Sequence, residues 1–150
     1  MGNGINNVMD SAVKFGAGRY RQGRGVLEHC GQEIRRFGKK AYIVSGPRAF
    51  DAVKDRLLPG LTEAGVEFVA EIYDGVCSYE AADALGKKCL DAGCDEVVGI
   101  GGGVIMDLSK AVAGKAGVGV INIPTSIATC AAFTAMSVMY TPQGAMKDNW

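Results

Sequence analysis

Residues 99–110, GIGGGVIMDLSK, set Gly99, Gly101, Gly102 and Gly103 between an apolar run and a helical pattern opening at Val104. Glycine loses more backbone freedom on folding than any other residue, so this concentration needs a cause. Two causes fit. A helix that starts just after a strand presents unpaired amide protons and roughly half a positive charge, and it binds phosphate where no side chain blocks the approach. The same glycines also let a helix lie close against a sheet and bind nothing. The turn does not match the G-x-G-x-x-G fingerprint, whose last glycine would fall on Val104, nor the Walker loop, because no Gly-Lys-Ser/Thr follows.

Asp107 and Lys110 follow in the helical pattern. In a first helical turn a carboxylate suits the helix dipole, so a structural role is the default for Asp107, although it would also lie near a bound phosphate or cofactor amide. Lys110 is within i,i+3 reach and reads as the partner in a surface pair. Farther on, NIPTSIAT (122–129) ends a strand at Pro124 and offers the hydroxyls of Thr125, Ser126 and Thr129. Consecutive strand ends of a doubly wound sheet share a crevice, so two such segments favour a nucleotide. Capping and turn formation account for the hydroxyls equally well.

These segments need a scaffold, and the chain alternates short β-type runs with helical ones. Strands are predicted at 41–45, 66–74, 95–101 and 118–124, with Val66, Phe68, Ala70 and Ile72 sharing one side of the second. A helix from Arg48 carries Phe50, Val53 and Leu57 on one face and should stop at Pro59-Gly60. Ser78 caps a helix to about Ala92 with Ala82, Leu85 and Cys89 inward, and Gly93 ends it. A further helix covers 104–115. Upstream, GRYRQGRG (18–25) is extended and leads into a helix with Val26, Cys30, Ile34 and Phe37 facing the core. The alternation predicts an α/β fold: a Rossmann-like, doubly wound parallel sheet with helices on both faces, in a single domain over 1–150. Residues 125–150 include a β-rich MSVMYT but no element that closes the domain, as in a chain cut short or one relying on another chain.

With 150 residues and sixteen acids balancing sixteen bases, the chain lacks the basic excess of a nucleic-acid binder. No apolar run approaches the ~18 residues of a membrane span, and the start has no signal-peptide core. Met1-Gly2 resembles a myristoylation start, but Asn6 stands where Ser or Thr is required. Cys30, Cys77, Cys89, Cys94 and Cys130 are odd in number, form no C-x-x-C, and accompany one histidine, His29. Neither a disulfide framework nor a zinc cluster is expected, and a cytoplasmic setting is.

Together, GIGGGVIMDLSKA and PTSIATCAAFTAMSVMYTPQG resemble the iron- or zinc-dependent alcohol dehydrogenase family, glycerol dehydrogenases most of all. RYRQGRG is similar to that family's opening strand, and the resemblance runs from about Arg19 to Gly144. It implies an N-terminal domain that binds NAD or NADP, followed by a helical domain, absent from this chain, that holds a divalent metal, zinc or iron. It further implies that the pyrophosphate lies on Gly101, Gly102 and Gly103, with Val104 opening the helix and Asp107 near the nicotinamide. Ser45 and Gly46 occupy the adenosine-side loop, where many NAD-specific members carry an acid; Arg48 is close by, and NADP becomes an option. Thr125, Ala128, Thr134, Met136, Val138 and Tyr140 match positions lining the cofactor cleft.

Cys130 stands where glycerol dehydrogenases place a substrate-binding aspartate, and its residue type reads more simply as a small buried apolar group. The resemblance implies a small alcohol or polyol as substrate, a homo-oligomer, and no catalytic or metal-ligating residue within this chain. Alternatives are a non-catalytic dinucleotide-binding module and a dehydroquinate-synthase-like or glycerol-1-phosphate-dehydrogenase-like enzyme.

Overall fold

The computed structural model describes residues 16–150, so the Met1-Gly2 start and Asn6 lie outside it. Four strands, β1 (Lys40–Ser45), β2 (Glu67–Ile72), β3 (Glu96–Gly101) and β4 (Gly119–Pro124), form one parallel sheet in the order β2-β1-β3-β4. Helices α1 (Val26–Arg35) and α2 (Pro47–Glu63) cover one face, while α3 (Tyr79–Asp91) and α4 (Gly103–Ala116) cover the other. The expected α/β architecture is therefore the observed one.

The central strands are buried on both faces, so they read as unbroken apolar runs rather than as alternation. In β1, Ala41 and Ile43 pack with Val53, Leu57 and Leu61 of α2, while Tyr42 and Val44 pack with Leu85 of α3 and Leu108 of α4. At the edge, β2 leaves Ala70 and Ile72 exposed; only Val66, just before it, is fully covered. After β2 the chain crosses β1 to enter β3, so the strand order reverses between β1 and β3. That reversal opens a crevice at their carboxyl ends.

Pro59 does not stop α2, which continues to Glu63. An interior proline costs about 3 kcal/mol, but Leu57 and Leu61 on either side are fully buried, and each such side chain contributes about 1.5–3 kcal/mol. Gly60 also lets α1 cross closely: a side chain at Gly31 would collide with the Gly60 carbonyl. The α1 core face is narrower than expected. Ile34 and Gly31 are buried, whereas Val26 and Phe37 are exposed. Residues 18–25 form no ladder. The tail does form a closing element, an antiparallel hairpin of β5 (Val138–Tyr140) and β6 (Met146–Asn149). It joins the main body where the Tyr140 amide donates to the Cys77 carbonyl at 2.7 Å and Met139 enters the α3/α4 core.

At the opposite end of the strands from the crevice, Glu96 opens β3 with no exposure and, among the described residues, no hydrogen-bond partner for either carboxylate oxygen. Burial, with the Asp95 carboxylate beside it, pushes its carboxyl from 4.5 up to about 7, against the pull of Arg35. The folded state therefore holds this proton more tightly than the unfolded chain. Stability is highest below pH 4.5 for this group and falls as pH rises towards 7, by on the order of 3 kcal/mol in full. Glu96→Gln should abolish that slope in denaturant titrations run between pH 5 and 8; an unchanged slope would show that Glu96 does not carry it.

Candidate functional site

The crevice is a cleft of about 400 Å³, lined by Gly46, Arg48, Asp74, Gly101, Gly102 and Thr125 together with Pro47, Ala49 and Ile105. These residues follow the carboxyl ends of all four strands. The Thr125 amide donates to the Gly101 carbonyl at 2.9 Å, so the turn after β4 is fastened to the turn after β3.

The glycines divide their labour. A side chain at Gly99 would strike Ser109, and one at Gly101 would meet Ile105 at 2.9 Å, so these two allow α4 to lie on β3. Gly103 lies against Thr129, where an added Cβ would stand 3.3 Å from the hydroxyl oxygen. Gly102 is different: nothing lies within 4 Å of where its Cβ would be, and it faces the cleft. Its φ of −93° suits any residue, so neither backbone conformation nor packing requires a glycine there. Beyond it, α4 opens with amides at Gly103, Val104 and Ile105 that its own ladder does not use; the first intrahelical bond runs from Met106 to the Gly102 carbonyl.

Asp107 and Lys110 do not form a surface pair. Each is 8% exposed, with Nζ 2.9 Å from Oδ1. The helix begins at Gly103, which puts Asp107 in its second turn rather than its first. The second carboxylate oxygen of Asp107 accepts the Val138 amide at 3.1 Å, and its carbonyl accepts the Ser137 hydroxyl at 2.8 Å. Lys110 donates to the carbonyls of Ala131 (2.8 Å), Thr134 (3.1 Å) and Met136. One ion pair thus secures the irregular chain between Thr125 and β5, helped by Ile105 and Met106 packing on Ala131.

Of the residues expected at the cofactor, Gly46, Gly101, Gly102 and Thr125 come together in the cleft. Ser45 is buried beneath it, its hydroxyl donating to the Ile100 carbonyl at 2.9 Å. Val104 is exposed beside it. Ala128, Thr134 and Met136 lie on the tethered segment; Val138 and Tyr140 belong to β5. Cys130 is exposed on this segment, not buried. Burial pushes the Cys77 thiol up to about 12 and the Cys89 thiol up to about 11, so neither supplies a thiolate near neutral pH. Asp74 was not anticipated, though its place just beyond β2, in IYDG, was a usable signal.

Sheet order, helices on both faces and a glycine turn at the strand-order reversal define a Rossmann-like domain. The chain belongs to the iron-containing alcohol dehydrogenase family, whose model matches residues 17–149. It is 36% identical over 131 residues to a glycerol dehydrogenase of Thermotoga maritima, covering 87% of this chain and 35% of that protein. It is 29% identical to a glycolaldehyde reductase of Halobacterium salinarum, covering 87% and 36%. A probable glycerol dehydrogenase of Sinorhizobium meliloti superposes with a TM-score of 0.74 at 26% identity, over 84% of this chain and 34% of that one. The glycerol dehydrogenase of Schizosaccharomyces pombe shares the fold, with a TM-score of 0.81 at 24% identity over 92% and 35%. The chain thus spans about a third of the length of these relatives.

Removing one member of a buried ion pair strands the other. Lys110→Met should destabilise the protein by about 3–5 kcal/mol. Adding Asp107→Asn should recover part of that loss, so that the double variant is less destabilised than the two single changes summed. Urea denaturation of the four proteins measures both effects, and purely additive losses would refute the coupling.

Proposed function

We propose that this chain is the dinucleotide-binding part of a metal-dependent dehydrogenase that oxidises or forms a small alcohol. The observation that carries the reading is Gly102, a glycine that packing does not explain, opening onto the free amides of α4 in the strand-end cleft. These amides and the positive end of the helix would hold the pyrophosphate. Family membership and the similarity to proteins named as glycerol dehydrogenases support the rest.

In this reading one half of the dinucleotide runs towards Gly46 and the other towards Thr125 and the tethered segment. The bound cofactor supplies a nicotinamide ring that gives or takes a hydride. The chain's own contribution is position. Lys110 and Asp107 fix the backbone of 131–138, so the ring side of the cleft has a defined wall without regular secondary structure. Among the described residues no group of three His, Cys, Asp or Glu side chains comes together. The described side chains therefore do not hold the iron or zinc that the family implies.

NADH or NADPH fluorescence should rise on titration with the protein. Gly102→Val should weaken that binding at least about tenfold, because its branched side chain occupies the phosphate position, while the melting temperature stays within a few degrees. Gly101→Val should instead lower the melting temperature, because it collides with Ile105. Absence of any signal up to millimolar nucleotide would sink the reading.

A further inference from the structure

We propose that the free edge of β2 is a docking site for another protein, which adds an extended, lysine- or arginine-bearing segment to the sheet as a further strand. The inference rests on the sheet and is independent of the dinucleotide reading. In the order β2-β1-β3-β4, β2 has a neighbour on one side only among the described residues. The Glu67 and Tyr73 amides donate to the Lys39 and Ser45 carbonyls at 2.9 and 2.8 Å. Successive residues of a strand turn their backbone groups to opposite sides, so those of Phe68, Ala70 and Ile72 point away from β1 with no strand to meet them.

Edge strands are ordinarily blunted by proline, lysine or a bulge. β2, EFVAEI, has none of these, and its register with β1 is unbroken over all six residues. At the other edge, the Thr125 amide donates inward to the Gly101 carbonyl. The same alternation therefore puts Pro124, which has no amide proton, on the outward side of β4. Apolar side chains of β2 are also left uncovered: Val69 is 36% exposed and Ile72 45%. Where the strand begins, a cleft of about 520 Å³ lies between it and the end of α2, lined by Thr62, Gly65, Val66, Glu67 and Phe68. An added strand would run about 4.8 Å from β2, alongside this cleft.

The charge along this edge selects the occupant. Residues 62–74, TEAGVEFVAEIYD, carry Glu63, Glu67, Glu71 and Asp74 and no base. Glu71 is spent on Lys88 and the Tyr42 hydroxyl. Glu67 is 80% exposed, and its ion-pair partner Lys40 stands 4.0 Å away. The carboxyl end of α2 adds its own partial negative charge at the cleft, with no basic residue in its last turn to offset it. Glu67 and Glu71 share one face of β2, while Phe68, Ala70 and Ile72 share the other. A segment that alternates basic and apolar residues matches both faces at once, and its main chain supplies the missing ladder.

The test uses a fluorescein-labelled peptide of alternating lysine and valine, its ends blocked, titrated with the whole chain and read by anisotropy. It should bind at least about tenfold more tightly than the same peptide with glutamate for lysine, and added salt should weaken it. Methylating every second backbone amide should weaken the peptide at least about tenfold for one alternate set and little for the other, because only one set faces β2. Ala70→Pro removes an outward amide and spares the β1 ladder; it should weaken the peptide about tenfold while the melting temperature stays within a few degrees. Glu67→Lys should narrow the preference for lysine over glutamate. Failure of the lysine peptide to bind, equal binding of the two peptides, or equal effects of the two methylated sets would each overturn the proposal, even if Ala70→Pro failed to fold. A dimer in sedimentation that a folded Ala70→Pro abolishes would overturn it as well, by showing that a second copy of the chain takes the edge.

Discussion

The buried pair of Asp107 and Lys110 is the constraint on which the far side of the cleft depends. Between Pro124 and β5 the chain has no ladder to satisfy its carbonyls, yet parts of it are packed against α4. A buried carbonyl without a donor costs about 1–3 kcal/mol, and a buried ammonium without a partner costs more. Lys110 meets both demands at once, since its one charge serves Asp107 and three carbonyls of the irregular segment. Asp107 completes the clamp from its other oxygen by holding the Val138 amide where β5 begins. Spacing of i,i+3 puts both groups on one helical face, so α4 alone supplies the clamp.

The same helix works at its other end. Its N-terminus meets the carboxyl end of β3 because Gly99 and Gly101 remove the side chains that would hold it away. Ser109, over Gly99, turns its hydroxyl back to the Ile105 carbonyl at 2.7 Å and leaves that contact without an unsatisfied group. Close packing, one of the two accounts the sequence leaves for this motif, therefore occupies Gly99 and Gly101, while Gly102 of the same turn stays open to the cleft. Gly102 is open because its neighbours have already set the helix in place.

The layered fold was legible because the buried strands are short apolar runs ended by glycine or proline, and Ser78 caps α3 as its type requires, accepting the Ala81 amide at 3.1 Å. What misled was whatever depended on contacts distant in the chain. Pro59 is a helix breaker by local chemistry, and only the burial of Leu57 and Leu61 beneath α1 keeps α2 going. Lys110 reads as a surface lysine because its partners at Ala131, Thr134 and Met136 carry the contact on their backbones, which leave no mark on residue type. Cys130 reads as buried by composition, but the segment that carries it is held by main-chain bonds and leaves its side chain exposed.

The two walls of the cleft are consequently maintained by different physics. On the β1 and β3 side, position comes from a hydrogen-bonded ladder between strands buried on both faces, which cannot shift without disturbing the core. Beyond β4, from Ala131 to Val138, it comes from one ion pair in low-dielectric surroundings, whose strength depends on the exclusion of water. Local opening proceeds where buried apolar contacts are fewest, and 125–130 is exposed throughout while Ala131 and Ser137 are buried. The glycine turn after β3 is thus the rigid half of the cleft. The segment from Thr125 to Cys130 is the adaptable half, held at one end by the Thr125 amide on the Gly101 carbonyl and at the other by the bonds of Lys110 to the backbone from Ala131 onward.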